Sequence, residues 1–350
     1  MAEEILYNKS VCFSPLTKRR IRAFIANRRA VVSFILFFLL LGISLFAELL
    51  ANDKPLLLSY KGDLYFPLIN DYTDKDFGGD FPVAVDYKDK LIMDNIQNNG
   101  WMVWPLIPFS FNTIDYDLDV PTPSAPSVVH WLGTDDEGRD ILVRILYGVR
   151  LSVIFAFLLT VVSSVIGITI GAIQGYFGGK LDIFMQRFLE IWESLPQLFI
   201  LIIIASIFMP TFWSLLFILI LFSWGSLTGV VRAEFLRARN LEFVMAAKAL
   251  GVSNWRIMYK HILPNAVIAT ITFIPFLLAE AVVALTSLDF LGFGLPYEYP
   301  SLGDLVRQGK DNLQAPWIGI SIFVVLATLL TLLIFIGEGV RDAFDARKNK

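Results

Sequence analysis

Long apolar runs separated by polar segments dominate this chain. Six of the runs are about 20 residues long and nearly free of charge. A helix of that length crosses the hydrocarbon core of a bilayer, which is about 30 Å thick. The pattern therefore predicts an all-α polytopic membrane protein with six transmembrane helices, at Val31–Ala51, Leu151–Ile173, Phe188–Met209, Phe212–Val231, Val267–Leu288 and Trp317–Gly337.

Composition and charge support this prediction and orient the helices. Hydrophobic residues make up 56% of the 350 positions and charged residues 17%, whereas soluble domains average about 25% charged residues. When loops are assigned alternately to the two sides, 19 of the 29 Lys and Arg residues fall on the side that holds both termini. The positive-inside rule places that side in the cytoplasm. The first apolar run exceeds the 7–15 residues or so of a signal peptide, so we expect it to be an uncleaved helix.

A long polar segment between the first two predicted helices forms a candidate extracytoplasmic lobe. Between Asn52 and Gly148 it carries 16 acidic and 7 basic residues. We expect a small lobe of irregular structure, with an acidic surface that suits a cationic ligand or a basic partner. A surface charged only for solubility is the plainer alternative. The candidate core residues are Trp101, Trp104, Phe109 and Phe111.

The polar segment Glu242–Asn265 predicts two short helices joined by a hinge. Apolar residues at helical spacing give the first helix one apolar face, formed by Phe243, Ala246, Ala247 and Leu250. Gly251 suits the left-handed end of that helix, and Ser253 suits the start of a second helix. The second helix carries Trp255, Met258, Tyr259 and Ile262, and Pro264 is predicted to end it. An amphipathic loop at the membrane surface remains an alternative.

These residues resemble the EAA loop of the membrane permeases of ATP-binding-cassette importers, and more narrowly the peptide and nickel permeases. The resemblance lies in Ala246-Ala247, then Gly251 four positions later, and in His261-Ile262-Leu263-Pro264. In that family the loop is a coupling helix that docks into a groove of the ATPase subunit. The resemblance gives this role to Met245, Ala246, Ala247, Gly251, Trp255, His261 and Pro264. Met245 departs from the family by replacing the acidic residue that names the motif.

A second group of motifs resembles the C-type subunits of peptide permeases. It begins at His130 and contains Leu132-Gly133-Thr134-Asp135 and Gly138-Arg139-Asp140. We expect Asp135, Arg139 and Asp140 to pair locally, as a clasp at the outer membrane face. Gly175–Asp182, Glu193–Pro196 and Leu288–Gly294 also resemble family motifs. The long lobe indicates the large-loop subgroup associated with microcin C and oligopeptide uptake.

The resemblance implies a type I importer permease fold and a set of partners. The expected organisation is a basic cytoplasmic tail (1–30), helix one (31–51), the extracytoplasmic lobe (52–148), a permease core (149–337) with a cytoplasmic coupling loop (232–266), and a cytoplasmic tail (338–350). The expected partners are a second permease in a heterodimer, two ATPase subunits or a fused ATPase, a solute-binding protein and a peptide substrate. The expected location is the bacterial inner membrane, and no nucleic-acid partner is expected.

Glu280 is the one acidic residue near the middle of a predicted transmembrane helix. An ionised side chain there costs about 3 kcal/mol on insertion scales, so we expect it to face protein or water. It lines the translocation pathway or bonds a neighbouring helix. The competing class is a secondary transporter or channel that uses Glu280 as an ion or proton site; that class has no need of a docking loop.

No enzymatic or cofactor site is predicted in this chain. Gly179-Lys180 resembles part of a phosphate-binding loop, but Leu181 stands where Ser or Thr binds magnesium. The two histidines are 131 positions apart and predict neither a metal site nor a catalytic triad. We therefore expect a non-catalytic subunit, with ATP and magnesium bound by its partners.

Overall fold

The computed structural model describes residues 15–118, 120–207 and 210–345. The helices are α1 (Pro15–Ala26), α2 (Arg28–Leu45), α3 (Ala47–Leu50), α4 (Lys90–Asn99), α5 (Ile141–Phe177), α6 (Gly179–Ser194), α7 (Gln197–Ile207), α8 (Phe212–Ser223), α9 (Gly225–Ala238), α10 (Glu242–Ala249), α11 (Asn254–Arg256), α12 (Leu263–Ile271), α13 (Ile274–Phe290), α14 (Leu302–Asp311) and α15 (Pro316–Phe344). A 3-10 helix spans Asp74–Phe77, a π-helix spans Ile257–Ile262, and the strands are β1 (Leu57–Tyr60), β2 (Asp63–Tyr65) and β3 (Gly100–Val103). Residues 1–14 of the predicted N-terminal tail, Asp119, Phe208, Met209 and the last five residues lie outside the described ranges.

Among the described residues, four stretches are long and apolar enough to cross a membrane. They are Arg28–Leu45, Ile141–Phe177, Phe212–Ala238 and Pro316–Phe344. A fifth crossing forms if Asn254–Ile271 and Ile274–Phe290, which meet at a bend of 55°, act as one broken span. The helical, multi-span prediction is therefore confirmed at four or five crossings, and the number six is not confirmed.

The predicted third helix, Phe188–Met209, is interrupted in the structure. α6 ends at Ser194 and α7 begins at Gln197. Pro196 lies between them, and a proline disfavours helical backbone in the residue before it. Leu195 accordingly has extended backbone angles, with φ −68° and ψ 129°. One proline thus divides a continuous apolar run into two helices.

A ladder of small residues lets α5 lie directly against α9. Gly167, Gly171 and Gly175 recur every four residues and are buried. A Cβ atom on Gly171 would lie 2.6 Å from the backbone oxygen of Thr228, and one on Gly175 would lie 2.5 Å from that of Arg232. Close backbone approach of this kind is how small residues associate helices in lipid.

The lobe between α3 and α5 is not wholly irregular, and it makes the chain not entirely α-helical. An antiparallel sheet of order β2-β1-β3 pairs Leu58 with Tyr65 and with Met102. Its core is aromatic and aliphatic, and its buried members are Leu58, Tyr60, Phe77, Tyr87, Ile92 and Ile96.

The predicted lobe core is partly wrong. Trp101 is 47% exposed, because strand alternation turns successive side chains to opposite faces. Trp104 packs against the lobe core, whereas Phe109 and Phe111 pack with Tyr147 at the start of α5. The lobe also ends at Asp140 rather than at residue 148, because Asp140 caps the first turn of α5.

The two ends of the described chain lie together. Gly339 of α15 approaches α1 and α2 closely, since a Cβ there would meet Ala30 and Phe24. The guanidinium carbon of Arg20 lies 4.5 Å from the ring centre of Phe344. Between these ends, α5, α8, α13 and α15 share one apolar core that includes Phe155, Leu219, Leu285 and Ile322.

Candidate functional site

The hinge of the predicted docking segment is a well-formed turn at the end of α10. Gly251 has φ +76°, a conformation that glycine adopts without steric cost. Its N–H donates to the carbonyl of Lys248 (3.1 Å), and that of Val252 donates to the carbonyl of Ala247 (3.1 Å). These two bonds form a Schellman motif, which satisfies the last carbonyls of the helix.

The second half of the segment differs from its prediction. The chain passes from α11 through the π-helix Ile257–Ile262 into α12, so Pro264 does not end a helix. In a regular α-helix the ring of Pro264 would clash with the carbonyl of Lys260. Lys260 lies within the π-helix, whose turns are wider than those of an α-helix, at the position where that clash would occur. Of the predicted loop 232–266, residues 232–238 belong to α9 and residues 263–266 belong to α12. The segment between these two helices is therefore residues 239–262.

Burial divides this segment into an inner face and an outer face. The inner face packs on α9 through Val244, Ala247, Ile257, Met258 and Ile262. Four large apolar side chains point outward, with Leu250 exposed by 84%, Tyr259 by 76%, Trp255 by 65% and Met245 by 54%. We call these four residues the docking surface. Of the predicted apolar face, Phe243, Ala246 and Leu250 are exposed and Ala247 is buried.

The remaining predicted docking residues lie at the edge of this surface. His261 is half-buried and Pro264 is exposed. The segment is attached to the end of α5, because the Tyr176 hydroxyl donates to Oδ1 of Asn254 (2.8 Å). Arg239 Nη1 lies 3.4 Å from the carbonyl of Tyr176, which adds a second link to the same helix end.

A buried ion-pair network occupies the predicted clasp. Asp135 is fully buried and accepts from Nε of Arg139 (2.8 Å). Arg144, on the first turn of α5, also donates to Asp135, and its Nη2 donates to Asp304 of α14 (3.1 Å). Arg307 donates to Asp304 as well. The network therefore joins the lobe, α5 and α14, whereas the sequence predicts only a local pairing of Asp135, Arg139 and Asp140.

Asp140 takes a different part from the one predicted for it. It does not pair with Arg139. Its Oδ1 accepts from the backbone N–H of Val143 (2.9 Å), which caps α5. Its Oδ2 lies 2.8 Å from Nδ1 of His130, whose Nε2 lies 3.1 Å from Oδ2 of Asp115. His130 is 1% exposed, so both ring nitrogens are held by carboxylates away from water.

The charges of the clasp shift the pKa values of its members. Burial acts to lower the pKa of His130, but Asp140 and Asp115 outweigh it and raise that pKa above its ordinary value. Burial acts to raise the pKa of Asp304, but Arg144 and Arg307 outweigh it and lower that pKa. The charged forms of both groups are therefore favoured. The sequence signal for this network is that His130 and Arg144 lie next to the start of the apolar run that forms α5.

Glu280 lines a cavity of about 230 Å³ among α5, α6, α7, α8, α9 and α13. Glu193, near the end of α6, lines the same cavity. The sequence indicates Glu280 as a pathway candidate, but no pattern in it places Glu193 beside that residue. In the residues 15–118, 120–207 and 210–345, no group of three or more His, Cys, Asp or Glu side chains is arranged to hold a metal ion.

The sequence is similar to those of known transport proteins. The family described as "binding-protein-dependent transport system inner membrane component" matches residues 167–350. The chain is 53% identical to the inner membrane ABC transporter permease protein YejE of Escherichia coli, over 96% of this chain and 98% of that protein. It is 50% identical to the peptidoglycan transport system permease protein YejE of Agrobacterium fabrum, over 99% of this chain and 97% of that protein. It is 36% identical to the oligopeptide transport system permease protein OppC of a Lactococcus lactis strain, over 63% of this chain and 76% of that protein.

Proposed function

This chain belongs to the family of inner-membrane components of binding-protein-dependent transport systems, and we propose that its importer takes up peptides or peptide-like compounds. The names of its relatives support this substrate class, because they describe peptidoglycan and oligopeptide transport. Both YejE proteins match this chain over nearly its whole length, lobe included. The lobe supports a narrower assignment to oligopeptide and microcin C uptake.

The observation that carries the assignment to an ATP-driven importer is the docking surface. Met245, Leu250, Trp255 and Tyr259 are large apolar side chains held outward by a packed inner face. Exposed apolar groups on a rigid support are typical of protein-binding sites. We assign this surface to the groove of an ATPase subunit, with Ala246, Ala247, Gly251, His261 and Pro264 shaping the segment that presents it.

Attachment of the segment explains how a partner's movement would reach the transmembrane helices. Its inner face packs on α9. Tyr176–Asn254 and Arg239 fix it to the end of α5. A closing ATPase dimer would therefore move α5 and α9 together as a lever. ATP drives this switch by binding the closed ATPase state better than the open state.

ATP and magnesium are assigned to the partners, and this chain is assigned no cofactor and no catalytic step. Gly179 and Lys180 begin α6 with Leu181 next, so the hydroxyl that would hold magnesium is missing. Two ATPase subunits, separate or fused, complete the assembly. A second permease in a heterodimer supplies the other half of the pathway, and a solute-binding protein docks on the outer side.

We assign six crossings and place both termini in the cytoplasm of a bacterial inner-membrane protein. α6 and α7, interrupted at Pro196, would together supply the sixth crossing. Contact between Arg20 of α1 and Phe344 of α15 supports an even number of crossings, because it brings the two ends together. The lobe 52–140 is then extracytoplasmic, with the clasp Asp135, Arg139 and Asp140 at its base.

Two variants of one residue test the coupling. Gly251→Val forces a β-branched residue into the left-handed region, where it is strained. Gly251→Asn is the matched control, since asparagine tolerates that region. A Cβ at this position has nothing within 4 Å, so the two variants differ in backbone strain and not in crowding. We expect the assembled importer to lose ATP-driven uptake in Gly251→Val and to keep it in Gly251→Asn.

The wild-type protein supplies the other half of the test. Purified in mild detergent, it should bring with it a second permease and an ATPase. Normal uptake by Gly251→Val would refute the coupling role. A chain that purifies alone and moves solute into liposomes without ATP would favour the secondary transporter instead.

A further inference from the structure

Two glutamates in one cavity have no cationic partner in the part of the chain that the structure describes. Glu193 and Glu280 both line the cavity of about 230 Å³ and both are exposed to it. Among the described residues, no hydrogen bond or ion pair joins the carboxylate of Glu193 or of Glu280 to another side chain. Two neighbouring carboxylates repel each other and attract a positive charge.

The serine residues of the cavity wall present acceptors rather than donors. Ser163 donates its hydroxyl hydrogen to the carbonyl of Leu159 (2.6 Å), and Ser223 donates to that of Leu219 (2.8 Å). Ser226 likewise donates to the carbonyl of Ser223 (2.8 Å). Because a hydroxyl has one hydrogen, each oxygen keeps only lone pairs for the cavity. These serine oxygens therefore complement a group that donates hydrogen bonds, while Gln197 on the same wall has both donor and acceptor atoms.

Thr160 adds a buried polar side chain to the cavity wall. It lines the same cavity and is 3% exposed, yet its Oγ1 has no hydrogen-bond partner. A buried hydroxyl without a partner is costly and calls for one. A Cβ atom on Gly225 would lie 2.5 Å from Oε1 of Glu193. The glycine at the start of α9 therefore leaves room for the Glu193 carboxylate. The last carbonyls of α6 add negative potential beside it.

From these observations we propose that Glu193 and Glu280 bind the ammonium group of the transported solute inside the membrane. An ammonium group donates three hydrogen bonds and carries the charge that two carboxylates require. The volume is below the range of about 300–1,000 Å³ that is usual for whole ligands. The cavity therefore holds one charged end of a peptide and not the entire molecule. This inference rests on the proposed peptide function and specifies the part of the substrate that is recognised.

The test is direct binding to the assembled transporter without its solute-binding protein. Trialanine, which has a free amine, is compared with N-acetyl-trialanine, which has none. We expect wild type to bind trialanine at least about tenfold more tightly, the loss expected for one hydrogen bond to a charged group. Glu193→Gln and Glu280→Gln should remove most of this preference, and Glu280→Asp should keep part of it. The matched control is Glu190→Gln on α6, which pairs with Arg187 outside the cavity.

Equal binding of the two peptides by wild type, or binding of neither, would overturn the inference. Gln variants that assemble normally and keep the wild-type preference for the free amine would overturn it as well. N-acetyl-Ala-Lys-Ala has a lysine ammonium group but no free N-terminus. If it binds as tightly as trialanine, the site accepts any ammonium group. If it binds weakly, the site recognises the peptide N-terminus. Uptake of trialanine by wild-type vesicles with ATP and the binding protein tests the peptide function separately.

Discussion

Arg144 donates to Asp304 across 160 positions of the chain, with 3.1 Å between Nη2 and Oδ2. The arginine is on α5 and the aspartate is on α14, and both are buried. Arg144 also donates to Asp135, so one guanidinium joins two carboxylates that each have a second arginine partner, Arg139 for Asp135 and Arg307 for Asp304. The clasp is thus a connection between distant parts of the fold as well as a local turn.

Replacing Arg144 with Gln should be strongly destabilising. The charge of Asp135 would then be balanced by Arg139 alone, and the charge of Asp304 by Arg307 alone, among the ion pairs of the described residues. Breaking a buried ion pair by removing one partner costs about 3–5 kcal/mol. Arg187→Gln is the matched control, because Arg187 pairs with Glu190 at 74% and 52% side-chain exposure. An exposed pair contributes about 0–1 kcal/mol. Thermal unfolding in detergent compares the two variants, and equal shifts would contradict the clasp's importance.

Stability of the clasp should fall as the pH rises above neutral. The pKa of His130 is raised in the folded state, so its stabilising contribution is complete below the unfolded value of about 6.5. The contribution is lost as the pH rises through the higher folded value. Melting temperatures between pH 6 and 8.5 measure this. His130→Gln should abolish that component of the slope, whereas His261→Gln, at the other histidine, should leave it in place.

A side chain on the glycine ladder should separate α5 from α9. A Cβ at Gly171 would lie 2.6 Å from the Thr228 backbone oxygen, which cannot move without the helix. Overpacking of this kind costs about 1–3 kcal/mol. We expect Gly171→Ala to lower the melting temperature. Gly229→Ala, on α9 with nothing within 4 Å of its Cβ, should be neutral or slightly stabilising. A neutral Gly171→Ala would show that the helices do not approach this closely.

Phe77 should be essential to the lobe. It is fully buried, and its ring centre lies 5.6 Å from that of Tyr60 and 5.2 Å from that of Tyr65. Phe77→Ala should cost about 3–5 kcal/mol and make residues 52–140 sensitive to protease in the intact protein. Phe81→Ala is the control, because Phe81 is 65% exposed. Equal resistance of both variants would mean that the lobe core lies elsewhere.

Much of this protein could be predicted from local sequence. The family prediction is confirmed, because its motifs are short and contiguous and the comparisons match the same region. Gly251 has the left-handed backbone that its position predicts. Each of these features depends on neighbours within about one or two helical turns.

The predictions are wrong where apolar runs that look alike in sequence have different structures. Hydrophobicity alone did not reveal the break at Pro196 or the continuation of the helix through Pro264. It also does not show which apolar residues of α10 face the interior, since Phe243 and Leu250 are exposed and Val244 is buried. A membrane protein that binds partners has apolar groups on both faces, so periodicity does not distinguish its core from its docking surface.

The sequence by itself determined the membrane-spanning helical class, the family and the hinge at Gly251, because length, composition and contiguous motifs specify them. Only the tertiary structure decided that Arg144 joins Asp135 to Asp304, that His130 lies between Asp140 and Asp115, and that Glu193 shares a cavity with Glu280. These residues are up to 169 positions apart, as are Asp135 and Asp304. Their contacts depend on how helices pack, and packing is a property of the whole chain that no local pattern records.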